Sequence, residues 1–161
     1  MASFDPTARG DALDEHTFAL ANAERVRYRD VVSLQRCLDD CSGGVVWESA
    51  HVLVRYFLEG AQHPRPLGSA ASICELGAGC GLLGLALARY MSPPPNRVVL
   101  TEAAPALEHL RSNVEHNGEQ NWPADVRKPD VMLLDWLDET SAAPLRPPFD
   151  CIIGTGRLPL P

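Results

Sequence analysis

A glycine-rich segment, ELGAGCGLLG at residues 75–84, constrains the fold of this chain more than any other part of the sequence. Its first two residues end SICEL, which is short and apolar like a buried strand. Its last three residues begin LLGLALARY, which is apolar nearly all round like a helix packed on a sheet. Glycines at such a junction allow a tight turn, the close approach of a ligand to the backbone, and close packing of helix on strand. The segment therefore predicts an α/β fold with a site for a nucleoside-containing ligand.

Strands and helices alternate along the rest of the chain, which is typical of a parallel sheet with helices packed on it. Two short alternating segments, 18–21 and 26–28, predict a small hairpin ahead of this sheet. The other predicted elements are a helix at 47–58, a strand at 72–76, a helix at 81–91, a strand at 97–102, a helix at 105–117 ended by Gly118, and strands at 131–136 and 149–154.

The charge of the chain bears on its partners. A net charge of -7 over 161 residues repels nucleic acid and gives an anionic membrane no electrostatic attraction, so we expect neither as a partner. No apolar run approaches roughly 18 residues, and the acidic start does not resemble a signal peptide. We expect a cytoplasmic protein, with the nucleus as a second location.

The five cysteines do not form a metal-binding pattern. They include no CxxC pair, and no histidine stands at zinc-ligand spacing from any of them. We expect reduced thiols and no metal site.

The glycine segment alone leaves two ligands open. Read as GxGxxG from Gly79, Gly81 and Gly84, with Glu102 ending the next strand, it fits a dinucleotide such as NAD. Read as GxGxG from Gly77, with the acidic Glu75 two positions earlier, it resembles motif I of Rossmann-like methyltransferases.

The order of the motifs favours the second reading. Six segments stand in the order and at the spacing of one family, and they cover about residues 18–154. Together they resemble the seven-strand protein-lysine methyltransferases of the methyltransferase-like 21 type. The resemblance implies a Rossmann-like fold, S-adenosylmethionine as cofactor, and the lysine side chain of a protein as substrate. The segments are VVWESAHVL, ELGAGCGLLGL, VVLTE, LRSNVEHN, LLDW and FDCIIG.

The resemblance also implies a set of cofactor contacts. Glu102 would accept hydrogen bonds from both ribose hydroxyls, Trp136 would lie against the adenine, and Trp47 would close the site. Each side chain also has a plain structural interpretation: a carboxylate at a helix start, core packing, and a buried aromatic at a helix start. The full set of predicted cofactor-binding residues is Trp47, Glu75, Gly77, Ala78, Gly79, Glu102, Trp136 and Thr155.

The end of the sequence departs from the family. Cys151, Ile152 and Ile153 read as a strand buried on both faces, which belongs in the middle of a sheet. Family members resemble one another in an Asp-x-x-Tyr segment after this strand, but Gly156 and Pro159 stand at those two positions here. We therefore name no catalytic residue from the sequence, and expect a chain truncated after its fourth strand, with that strand as an exposed edge.

These observations predict a flexible leader at 1–14, an incomplete cofactor-binding domain at 15–154, and a tail at 155–161 outside the family pattern. The leading hypothesis is a protein-lysine methyltransferase with a partial parallel sheet of four strands, preceded by a hairpin and a helix, and with poor activity in this form. One alternative is a non-catalytic fragment that binds S-adenosylmethionine or a protein partner. Another is an NAD-dependent oxidoreductase.

Overall fold

A computed structural model describes residues 25–36, 38, 42–59, 67, 72–120 and 122–155. The predicted leader at 1–14, the segment 18–21 and the tail after residue 155 lie outside the described residues. The division into a leader, a domain at 15–154 and a tail therefore stays a prediction.

A hairpin precedes the main sheet, but its strands differ from the prediction. Strand β1, Arg25–Tyr28, pairs antiparallel with β2, Val31–Leu34, through a turn in which Arg29 has a φ of 50°. The sequence analysis missed β2, because its residues are nearly all buried and show little polar alternation. The expected pairing of 18–21 with 26–28 is wrong for 26–28, which pairs with β2.

In the part of the chain that the structure describes, four parallel strands form the central sheet, as predicted. In sequence they are β3, Ser72–Leu76; β4, Arg97–Glu102; β5, Asp130–Leu133; and β6, Cys151–Gly154. Their order in the sheet is β5-β4-β3-β6, and every neighbouring pair is parallel. The chain thus reverses direction across the sheet between β5 and β6, as in other open α/β folds.

Three α-helices within the described residues accompany the sheet. Helix α1 spans Glu48–Leu58, α2 spans Leu82–Tyr90, and α3 spans Ala104–Glu119. Residues 82–88 of α2 are all buried, which agrees with its apolar sequence and places this helix in the core. No helix within the described ranges is long and apolar enough to span a bilayer.

Three predicted boundaries need correction. Gly118 does not end α3 but lies within it, with the side chain of Lys128 packed over it. Strand β5 ends at Leu133, because the carboxylate of Asp135 accepts the Leu137 amide and turns the chain. Strand β6 begins at Cys151; directly before it, the Asp150 side chain accepts the amide and hydroxyl of Ser72, and the Asp150 amide donates to the Ser72 carbonyl.

The burial of β6 also differs from the prediction. Ile152 is 61% exposed, whereas Ile153 and Cys151 pack against the core. Among the described residues β6 pairs only with β3, so its other edge is unpaired there, as expected. The apolar sequence of this strand did not reveal that one of its faces is open.

The connection from β5 to β6 is held down by Arg97. Its guanidinium donates to the carbonyl oxygens of Leu145 and Arg146, and it lies 5.0 Å from the centre of the Phe149 ring. Since β5 and β6 lie at opposite edges of the sheet, this connection must cross β4 and β3. Arg97 secures that crossing.

Two glycines inside helices offer a matched test of packing. A methyl group on Gly84 would overlap the Leu100 side chain and come within 2.6 Å of Glu75 Oε2, whereas one on Gly118 would meet only the flexible end of Lys128. We expect Gly84→Ala to lower the free energy of unfolding by about 1 to 3 kcal/mol. Gly118→Ala should stay within about 1 kcal/mol of the unaltered chain, because alanine favours the helix. Urea unfolding measures both, and equal stability of the two variants would contradict this packing.

The two isoleucines of β6 offer a second matched test. Ile152→Lys should leave thermal stability nearly unchanged and slow aggregation, because a lysine on an exposed edge strand opposes pairing with another chain. Ile153→Lys should cost about 2 to 4 kcal/mol, because it places a charge against the core. Thermal unfolding and light scattering give the two quantities. Faster aggregation of Ile152→Lys than of the unaltered chain would count against the exposed edge.

Candidate functional site

The predicted site residues meet at the carboxyl ends of the parallel strands. Gly77 follows β3, Glu102 ends β4, Trp136 follows β5, and Thr155 follows β6. Ligands of open α/β sheets bind at this edge, next to the point where the strand order reverses. The fold therefore assembles one candidate site from four separate parts of the sequence.

The glycine loop after β3 has a backbone that requires glycine. Gly77, Gly79 and Gly81 have φ values of 60°, 55° and 79°, in the left-handed region where a side chain is strained. The Ala78 amide donates to the carbonyl of Thr101 at 2.9 Å, and the Gly81 amide donates to Ala78 at 2.8 Å. The loop is therefore tied to β4 and closes tightly into the start of α2.

Glu102 joins this loop to the start of α3. Its Oε2 accepts the Gly79 amide at 2.7 Å, and its Oε1 accepts the Ala103 amide at 2.9 Å. A carboxylate oxygen can accept two hydrogen bonds, so each oxygen keeps capacity for a further donor such as a ligand hydroxyl. The arrangement accommodates both interpretations of Glu102, a helix-start carboxylate and a ribose acceptor, and its ribose role stays a prediction.

Trp136 lies over the first glycine of the loop. A side-chain carbon built on Gly77 would stand 3.4 Å from Cζ2 and 3.8 Å from Cη2 of the indole. The tryptophan is 41% exposed, so core packing does not explain its position. The structure brings together a glycine backbone and an aromatic surface, which is the combination expected beside a purine.

A second wall of the site is formed by residues 42–47, the segment before α1, which passes close to the glycine loop. Gly43 O would be 3.3 Å from a side-chain carbon on Gly79, and Cys80 Sγ lies 3.6 Å from the same oxygen. Trp47 follows this segment, donates from Nε1 to Ser42 O, and is 47% exposed. The alternative of a buried aromatic at the helix start is therefore wrong for Trp47.

The first turn of α1 is also fixed to β6. The Ser49 hydroxyl donates to the carbonyl of Thr155 at 2.6 Å. Sequence reasoning missed Ser49, because nothing in the local pattern distinguishes it from an ordinary helix-start serine.

Glu75 lies beneath the loop and has no exposed surface. Its Oε2 accepts the Gly84 amide at 2.8 Å, while Oε1 has no hydrogen-bond partner of normal geometry in the described part of the chain. Burial raises the pKa of Glu75 to about 8, and the nearby Glu102 adds to this, while the Gly84 amide and the Thr155 side chain act in the opposite direction. In this structure Glu75 supports the loop from the core side, and its predicted contact with a cofactor stays a prediction.

Thr101 was also missed by sequence reasoning. Its hydroxyl donates to the Glu75 carbonyl at 2.8 Å, and its own carbonyl receives the Ala78 amide. A polar residue inside the apolar strand RVVLTE was the available signal.

Cysteine chemistry and metal binding find no support in the described residues. Cys74, Cys80 and Cys151 are free, and burial raises the pKa of Cys80 to about 12, which keeps its thiol protonated beside His109. No group of three or more potential metal ligands occurs within the described ranges.

Comparison with known proteins decides the family. Residues 28–156 match the model of a family described as lysine methyltransferase. This chain belongs to that lysine methyltransferase family. The family resemblance and the Rossmann-like methyltransferase fold expected from the sequence are thereby confirmed, and the NAD-dependent oxidoreductase alternative loses its support.

Two mouse proteins are similar to parts of this chain. Protein N-lysine methyltransferase METTL21A is 42% identical over 73 residues, which cover 45% of this chain and 30% of that protein. Protein-lysine N-methyltransferase EEF2KMT is 36% identical over 110 residues, which cover 65% of this chain and 31% of that protein. The chain thus spans about a third of the length of the curated relatives it matches.

The pKa of Glu75 makes a testable contribution to stability. Because its folded value of about 8 exceeds the ordinary value of 4.5, the folded protein holds a proton that the unfolded chain releases between these values. The free energy of unfolding should therefore fall as pH rises through this window. Glu75→Gln keeps an acceptor for Gly84 without the titration, and should remove about 2 to 5 kcal/mol of that fall.

Urea unfolding between pH about 5 and about 8.5 measures the effect. Glu115→Gln, which alters an exposed carboxylate on α3, is the control and should keep the pH dependence of the unaltered chain. Parallel curves for Glu75→Gln and the unaltered chain would show that Glu75 titrates normally.

Proposed function

We propose that this chain carries the S-adenosylmethionine-binding part of a protein-lysine N-methyltransferase. The observation that carries the proposal is the glycine loop, with Glu102 on one side and Trp136 on the other, in a member of the lysine methyltransferase family. The names of both relatives specify lysine in a protein as the methylated group, which supports a protein substrate here.

The residues at the strand ends fit such a cofactor. Glu102 retains acceptor capacity for the ribose hydroxyls, and Trp136 offers an exposed indole for the adenine. Gly77 has no side chain, and the Trp136 indole lies at van der Waals distance from the position that a side-chain carbon would take, so indole and loop backbone adjoin. Trp47, also half-exposed, would cover the ligand from the side of α1.

When bound, S-adenosylmethionine supplies an electrophilic methyl group on a sulfonium. The acceptor lysine must first lose its proton, since only the neutral amine has a free electron pair. Glu102 would hold the ribose and Trp136 the adenine of the cofactor, whose methyl group the neutral lysine nitrogen would accept, with S-adenosylhomocysteine left behind and the extra proton of the nitrogen released to solvent. The task of the protein is to align the two groups and exclude water.

A binding experiment tests the proposal on this chain. Titration calorimetry should show S-adenosylmethionine and S-adenosylhomocysteine binding in preference to NAD. Glu102→Ala should weaken adenosyl binding by about 1 to 3 kcal/mol through lost charge-assisted hydrogen bonds. Glu102→Asp keeps the carboxylate and should bind more tightly than Glu102→Ala.

Glu115→Ala removes the same charge from an exposed position on α3 and should bind like the unaltered chain. Binding of NAD without either adenosyl compound would overturn the proposal. If Glu102→Ala binds as well as the unaltered chain, Glu102 is only a helix-start carboxylate.

Transfer itself is tested with tritiated S-adenosylmethionine and cell lysate as acceptor, followed by acid hydrolysis of the labelled protein. Label in methyl-lysine supports the lysine assignment, and label only in another amino acid contradicts it. Adenosyl binding without any transfer favours the non-catalytic alternative for this chain.

A further inference from the structure

Two asparagines on one face of α3 hold the outer edge of the hairpin. Asn117 accepts the Val32 amide at 2.8 Å and donates to the Val32 carbonyl at 2.6 Å. Asn113 accepts the Leu34 amide at 3.0 Å and donates to the Leu34 carbonyl at 3.1 Å. Each side-chain amide thus presents the same donor and acceptor as a neighbouring strand would, and both asparagines are buried.

The two asparagines differ in their remaining hydrogen bond. Asn113 Nδ2 also donates to the carbonyl of Cys80 at 3.0 Å, inside the glycine loop. Asn117 Nδ2 instead donates to the Asn113 carbonyl at 2.7 Å, within α3 itself. Of this pair, Asn113 alone connects the hairpin to the loop.

Strand β2 in turn carries the wall of the site that faces the loop. Directly after β2, Gln35 Oε1 accepts the Val46 amide at 2.8 Å, and the Arg36 amide donates to the Gly44 carbonyl at 2.9 Å. The segment held in this way precedes Trp47 and passes close to Gly79. The position of the wall therefore depends on where β2 is held.

Asn113 lies where the wall and the glycine loop meet. Its single side chain is bonded both to Leu34, which directly precedes the two residues that bind the wall, and to Cys80, in the loop. His109 adds a contact at the same place, with Nε2 at 2.9 Å from the Leu34 carbonyl and 3.7 Å from Cys80 Sγ. Since Asn113 has no exposed surface, water cannot replace its hydrogen bonds without opening the structure.

We propose that Asn113 is a positioning residue that sets the distance between the glycine loop and the wall carrying Trp47, and so the width of the cofactor site. The consequence for cofactor affinity rests on the proposed function, whereas the coupling of loop to wall does not. Asn117 has the same kind of bonds to β2 and none to the loop, which makes it the matched control.

The test compares Asn113→Asp with Asn117→Asp in the 161-residue chain. Both variants keep an acceptor for the β2 amide, lose the amide donor and add the same charge. Hydrogen exchange without ligand should accelerate at least tenfold at amides in 43–46 and 78–84 in Asn113→Asp. In Asn117→Asp the exchange rates of these amides should change less than threefold. Both comparisons are corrected for the change in global stability, which urea denaturation measures for each variant.

The affinity for S-adenosylhomocysteine gives the second measurement. It should fall at least tenfold in Asn113→Asp and less than threefold in Asn117→Asp. Similar losses in both variants, once scaled to their stability, would mean that Asn113 only supports the fold and would overturn the proposal. If the unaltered chain does not bind the ligand, the proposed function fails, but the exchange data still decide the role of Asn113.

Hydrogen exchange in the unaltered chain gives a third test, which does not require that any variant folds. If Asn113 couples the two parts, the amides of Val46 in the wall and Gly84 after the loop should show protection within about tenfold of each other. They should also lose protection together at low urea. If the wall amides open with a free energy and a urea dependence that differ from those of the loop amides, the wall and the loop are not coupled and the proposal is overturned.

Discussion

The buried contact between the Glu75 carboxyl and the Gly84 amide underlies the rest of this structure. It lies where β3, the glycine loop and α2 meet, and it leaves no room for a side chain at Gly84. The contact holds α2 against β3 and β4, and α2 supplies more of the apolar core than any other described element. Because the acid is completely buried, its protonated form is favoured, and burial outweighs the opposite effect of the Gly84 hydrogen bond on its pKa.

A second acid, Glu102, acts on the other side of the same loop. Glu75 binds the loop from within the core, and Glu102 binds the Gly79 amide at the edge where the strands end. Burial raises the pKa of Glu75, and the nearby Glu102 carboxylate raises it further. One acid therefore supports the fold, while the other is available to a ligand at the partly open edge.

Around this centre, the site is assembled from segments that are distant in sequence. Trp136 reaches Gly77 across the end of the sheet, and Ser49 ties α1 to Thr155. The N-terminal hairpin contributes through Asn113, whose amide bonds to Leu34 although the two residues are 79 positions apart. The hairpin is thus part of the architecture of the site and not an appendage to the sheet.

Local patterns determined the identity and order of the main elements. The glycine loop at a strand-to-helix junction, the alternation of strands and helices, and the order of the motifs were sufficient for the fold class and the family. They also located Glu102, Trp136 and Thr155 at the strand ends, where parallel strands bring their carboxyl termini together. These features depend on neighbouring residues, so a sequence pattern can reveal them.

Only the tertiary structure decided which side chains meet. The exposure of Ile152, the buried position of Glu75 and the bonds of Asn113 to both hairpin and loop have no local signature. The end of α3 shows the same limit, since Gly118 remains helical and Lys128 from a later segment packs over it. Each outcome depends on a partner that is remote in sequence and brought near by folding, and the free energy of that contact outweighs the local preference of the chain.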